Sequence, residues 1–156
     1  MPAEVKICGL STPETVEAAL AAGADFVGLM FYAKSPRNVS LATAGELAGI
    51  ARGRARIVTV TVDADDALIA AIAAEVKPDL VQCHGAEPPE RLAWMRSAHG
   101  LKAYKVLKVR EEAHVAAAQA YAGVSPFVMF DALPPADAIL PGGNGLAFDW
   151  TILEGA

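Results

Sequence analysis

Three residues able to move protons each close an apolar run. Cys8 ends VKIC, His84 ends LVQCH and Asp131 ends FVMFD. A thiolate can take a proton from carbon, an imidazole can bind or relay one, and a carboxyl can give one up. Side chains alternate along an extended strand, so Lys6 shares a face with Cys8, Gln82 with His84, and Met129 with Asp131. By the same alternation Cys83 points away from His84. Each residue also has a plainer reading. A buried cysteine commonly packs as a small hydrophobe, His84 before Gly85 could cap the next helix, and Asp131 could accept from the backbone in a turn. Their recurrence at the close of three separate runs favours chemistry.

Two loops add candidates. Lys34 and Arg37 flank Ser35-Pro36 in FYAKSPRNVS. The planar fork of Arg37 suits a carboxylate, with a solvated loop as the alternative. GGNG at 142–145 follows a polar turn and does not open directly from a strand. Gly142 and Gly143 are therefore expected in a lid over a site and not in a phosphate-cradling P-loop. No His/Cys/Asp spacing resembles a metal site, and no metal or cofactor is expected.

The elements that must hold these residues are short β-branched or aromatic runs: VKIC, FVGLMFY, RIVTVTV, LVQCH, KAYKVLKV and FVMFDA. Alanine-rich stretches with helical spacing lie between them. The first, TPETVEAALAAG, offers Thr12 as N-cap, Pro13 at the first helical position, Glu14 at the positive end of the dipole and Gly23 as a C-terminal stop. Strands apolar on both faces, separated by helices, imply a parallel α/β sheet with right-handed crossovers. Two architectures fit: an open doubly wound sheet, or a (β/α)8 TIM barrel of which about six βα units are present. The first turn reads CGLSTP and lacks the G-x-G-x-x-G of a dinucleotide fold, which disfavours the open sheet. In a barrel, Cys8, His84 and Asp131 would meet at the carboxyl-terminal mouth, where barrel enzymes carry their sites.

Composition narrows the partners. The chain has 156 residues, 54% of them hydrophobic, and is read as a single, incomplete domain over 1–156. Its formal net charge is −5 and its lysines and arginines form no stripe, so a small molecule is a better partner than nucleic acid or an anionic membrane. No apolar run is long enough to cross a bilayer, and two cysteines without a framework pattern suit a reducing cytoplasm.

KICGL at 6–10, AGADFVGLMFYAKSPRNVS at 22–40 and VQCHG at 81–85, followed by KAYKV, FDALPP, GGNG and FDW, make the sequence resemble the phosphoribosylanthranilate isomerases of tryptophan biosynthesis. The resemblance implies a (β/α)8 barrel and a cofactor-free Amadori rearrangement of phosphoribosylanthranilate to carboxyphenylamino-deoxyribulose phosphate. It implies Cys8 as general base and Asp131 as general acid, Arg37 on the anthranilate carboxylate, and His84 lining the pocket, with Lys6, Gly142 and Gly143 as further binding residues. Monomers and homodimers are both compatible with it. An acid role for Asp131 calls for a carboxyl pKa raised by apolar surroundings, which Phe127, Val128, Met129 and Phe130 are expected to supply. A free thiol ionises near pH 8.5, so the base needs a nearby cation or dipole; Lys6, the helix starting at Thr12 and the iminium intermediate are candidates. Cys83 stands where the family commonly has leucine, and Asn144 where it has threonine or serine.

The resemblance also implies seventh and eighth strands whose loops hold the substrate phosphate, and an aspartate after the seventh. Nothing after FDW matches them. The sequence is accordingly expected to be truncated, and residues 1–156 alone to be inactive. Two rival readings are a non-catalytic barrel fragment serving as an interaction module, and a flavodoxin-like nucleotide binder.

Overall fold

A computed structural model describes residues 3–134 and 146–154. Six strands alternate with helices: β1 (Lys6–Cys8), α1 (Pro13–Ala21), β2 (Phe26–Phe31), α2 (Leu41–Ala51), β3 (Arg56–Thr61), α3 (Asp66–Ala71), β4 (Leu80–Cys83), α4 (Pro89–His99), β5 (Ala103–Val109), α5 (Glu112–Ala116) and β6 (Val128–Ala132). All strand pairs are parallel, and the sheet order is β1-β2-β3-β4-β5-β6. Doubly wound sheets reverse direction at a switch point. This one never does, which removes the open-sheet reading for the described residues.

Local chemistry sets the helix boundaries. Thr12 accepts from the Thr15 amide in a capping box, with Pro13 in the first turn, and Gly23 just beyond the end holds φ at +82°. Ser40 and Asp65 cap α2 and α3 by accepting from the Thr43 and Leu68 amides. The third helical segment departs from the sequence reading. It widens into a π turn over Ile72–Val76 before Lys77 stops it in the left-handed region. The fifth tightens into a 3₁₀ turn over Ala117–Tyr121, and Trp150–Leu153 forms another.

The outer faces of the first three strands and helices α1 and α2 bury Val16, Val27, Leu29, Leu47 and Ile57 in one core. Ile69, Val81, Leu92, Met95 and Tyr121 form a second between β4, β5 and their helices. The inner face carries a third cluster of Val58, Val60, Leu80, Tyr104 and Val106, against which Cys8, Phe26, Met30 and Met129 pack. Residues from all six strands meeting on one side require curvature. So does Lys6 on β1, which reaches Gln82 on β4. A flat sheet would hold those strands three spacings, about 14 Å, apart. The sheet is a curled half-barrel with its strand carboxyl ends on one rim.

Candidate functional site

Cys8, His84 and Asp131 all stand at that rim on the inward side. Cys8 is half-buried. It owes its room to Gly28, its register partner on β2: a Cβ at that glycine would lie 2.9 Å from the Cys8 sulfur. Gly9 then turns the chain with φ +81°. A side chain there would strike Arg37 Cδ at 2.5 Å, so Arg37 of the β2–α2 loop lies across the Gly9 backbone, next to the cysteine. Arg37 is exposed overall, and the loop is tied down by buried Ser35, whose hydroxyl accepts from the Arg37 amide.

His84 neither caps α4, whose N-cap is Pro88, nor faces solvent. Its Nδ1 lies 2.8 Å from Gln82 Nε2 and its Nε2 lies 3.2 Å from Asp131 Oδ2. The second approach is close enough for an ion pair but off the N–H direction, so Nε2 has no aligned hydrogen-bond acceptor. Asp131, which lies within β6, also accepts from the Ala132 amide at 3.0 Å, a backbone contact of the kind its turn reading expects.

The electrostatics of Asp131 reverse the sequence expectation. Its carboxyl is held below the usual carboxylate value, first by His84, with the Ala132 amide and Lys108 adding to the effect against partial burial. The side chain is 33% exposed, and Phe127, expected to shield it, is itself 46% exposed and packs its ring on Tyr104. Burial pushes this carboxyl up, but by less than His84 holds it down.

Lys6 behaves differently again. Burial lowers its pKa, while Cys8 acts the other way and favours the charged form. Its Nζ donates to Gln82 Oε1 and to Tyr104 Oη at 3.3 Å, and Tyr104 donates to the same Gln82 oxygen at 2.7 Å. Lys6, Gln82, His84 and Asp131 thus form one polar line across the inner face. Gln82 and Tyr104 are almost fully buried, and sequence reasoning gave neither a role. The available signal was a polar side chain two residues before a histidine on an otherwise apolar strand.

A second polar group backs the β4–α4 turn from outside. Glu87 accepts from the amides of Asp63 and Gly85, each at 2.9 Å, and from Lys105 Nζ at 2.8 Å. Lys105 also bonds the Gly85 carbonyl at 2.6 Å. Gly85 is required here, since a Cβ would lie 2.4 Å from Asp63 Oδ1. These bonds fix the turn immediately after His84. No group of three or more His, Cys, Asp or Glu among the described residues is placed to hold a metal. Gly142 and Gly143 lie outside the described residues.

The chain is similar to proteins of one family. The family described as N-(5'-phosphoribosyl)anthranilate (PRA) isomerase matches residues 5–156. An N-(5'-phosphoribosyl)anthranilate isomerase of Afipia carboxidovorans is 55% identical over 152 residues, covering 97% of this chain and 65% of its own. The chain thus spans just under two thirds of that relative's length. The crystal structure of phosphoribosyl anthranilate isomerase from Thermotoga maritima superposes with a TM-score of 0.83 at 29% identity, over 97% of this chain and 70% of that one. A further solved isomerase, in complex with reduced 1-(o-carboxyphenylamino)-1-deoxyribulose 5-phosphate, gives a TM-score of 0.76 at 30% identity over 84% of this chain and 66% of its own.

Proposed function

The chain belongs to the N-(5'-phosphoribosyl)anthranilate isomerase family, and we propose that it supplies the acid–base centre for the Amadori rearrangement of phosphoribosylanthranilate, as a cytoplasmic enzyme of tryptophan biosynthesis. The half-barrel is taken as the first six units of a (β/α)8 barrel. The observation that carries the reading is the placement of Cys8 beside Gly28 and Arg37 on the same inward rim as the His84–Asp131 contact.

In this mechanism Asp131 gives a proton to the furanose ring oxygen. The C1′–O bond breaks, the oxygen leaves as a hydroxyl, and the anilinic nitrogen becomes an iminium. Cys8 takes the C2′ proton, whose bonding electrons move toward that iminium to give an enolamine. Tautomerisation of the enolamine yields the aminoketose. Arg37, exposed and lying over Gly9 beside Cys8, takes the anthranilate carboxylate. Lys6 offers positive charge near the Cys8 thiolate.

The low proton affinity of Asp131 has a consequence for this cycle. With His84 beside it the free carboxyl favours its charged form. Bringing the anionic substrate over the rim and excluding water both favour the neutral acid. Asp131 therefore loads its proton as substrate binds.

The test is turnover of phosphoribosylanthranilate by the protein as the cell makes it, beside its Cys8→Ala and Asp131→Asn variants. General acid–base groups contribute about 10²–10⁴-fold, and kcat should fall by that order in each. Folded variants that keep turnover within a few-fold of the parent would leave the interaction-module reading standing instead.

A further inference from the structure

The polar line on the inner face admits one assignment of its hydrogens. Lys6 has only donors, so the Gln82 atom it meets must be the oxygen. Tyr104 accepts from Lys6, and its own proton goes to that same oxygen. Burial raises the phenol pKa, so the proton stays on. The Gln82 amide cannot turn over without pointing its NH2 at two donors. Its Nε2 is thereby committed as a donor to His84 Nδ1, 2.8 Å away, and Nδ1 must accept. The one ring proton is left on Nε2, which faces Asp131.

We propose that Gln82 is a positioning residue that locks His84 as the neutral, Nε2-protonated tautomer and through it sets the proton state of Asp131. This rests on the acid role given to Asp131 above. A second proton on Nδ1 would meet the Gln82 NH2 head-on, so the line sets a neutral ring beside Asp131, with its one N–H on the Nε2 side, and not an imidazolium. The other ionisable groups around the line are Lys6 and Cys8 from β1 and Tyr104 and Lys108 from β5. The inner residues of β2 and β3 packed there, Phe26, Met30, Val58 and Val60, are uncharged. Asp63, Glu87 and Lys105, behind the turn, are bonded to one another and to the backbone of Asp63, Gly85 and Ala86.

The experiment is ¹⁵N NMR of the histidine ring nitrogens at pH 7, with His84 assigned by its loss in His84→Gln. The parent should show a protonated Nε2 and a bare Nδ1. In Gln82→Glu the introduced carboxylate accepts from Nδ1, and the ring should become doubly protonated. The alkaline limb of the kcat profile should then move down by about one pH unit, a tenfold loss of kcat at a fixed pH on that limb, with KM changed less than threefold. A proton on Nδ1 in the parent overturns the proposal whether or not Gln82→Glu folds. So does a Gln82→Glu ring identical to the parent's. Expected ring spectra from a protein without isomerase turnover would instead strike the function proposed above and leave the tautomer lock in place.

Discussion

Two buried polar networks flank the same pair of strands, β4 and β5, and they end differently. On the outer side Lys105 and Glu87 are only 4% and 3% exposed, and they are bonded to each other and to the backbone of the β3–α3 and β4–α4 turns. On the inner side Gln82 and Tyr104 are as deeply buried, but the line they anchor runs out to Asp131, a third exposed, and passes close to Cys8. Sequence neighbours feed opposite networks: Tyr104 the inner one, Lys105 the outer. A closed network has nothing left to offer a ligand and can only hold shape. An open one carries its charge to a surface where a substrate can meet it.

The sharpest way to break this contrast is Lys105→Met. It leaves Glu87 as a buried charge without its counter-ion, a change that costs about 3–5 kcal/mol. Urea unfolding should show that loss, while kcat per folded molecule stays within about twofold; a loss below 1 kcal/mol would mean the outer pair is not closed as described.

The two cysteines give the next contrast. Cys83 is fully buried on the outer face and its thiol is pushed up to about 12, chiefly by burial. At pH 8 its thiolate fraction is then about 10⁻⁴. Iodoacetamide should modify Cys8 at least about 100-fold faster, read by peptide mass. Equal rates would place Cys83 in contact with solvent.

The smallest effect concerns acid. The folded carboxyl of Asp131 lies below the usual 3.8. A depressed carboxyl contributes stability above its unfolded value and loses it as pH falls through the folded one. Stability should therefore decline below pH 4 slightly more steeply in the parent than in Asp131→Asn. At this exposure the difference should stay under about 1 kcal/mol. A steeper decline in the variant would contradict the His84 contact.

Much of this was legible in the chain. The apolar runs marked all six strands, alternation put Cys83 opposite His84, and Thr12, Pro13 and Gly23 bounded α1 where capping chemistry says they should. What sequence could not supply was distance between remote residues. The apolar neighbours of Asp131 in FVMFD suggested a raised carboxyl pKa. The group that governs it is His84, from a strand two positions away in the sheet, and it acts in the opposite sense. Lys105 read as one of several lysines in KAYKVLKV until Glu87, on the turn before α4, proved to be its counter-ion. The π turn at Ile72–Val76 also escaped notice, since alanine-rich sequence suits either helical pitch.

The strictly sequential sheet order bears on how the molecule is made. Register partners such as Cys8 and Gly28, Val58 and Leu80, or Val81 and Ala103 stand some twenty residues apart. Each new strand therefore closes only a short loop, at an entropy cost that grows slowly with loop length. At ribosomal speeds of about 5–20 residues per second, one βα unit emerges every few seconds, far slower than loop closure or hydrophobic collapse. Each strand leaving the ribosome finds its parallel neighbour already waiting, so the sheet can be laid down in the order in which it is translated.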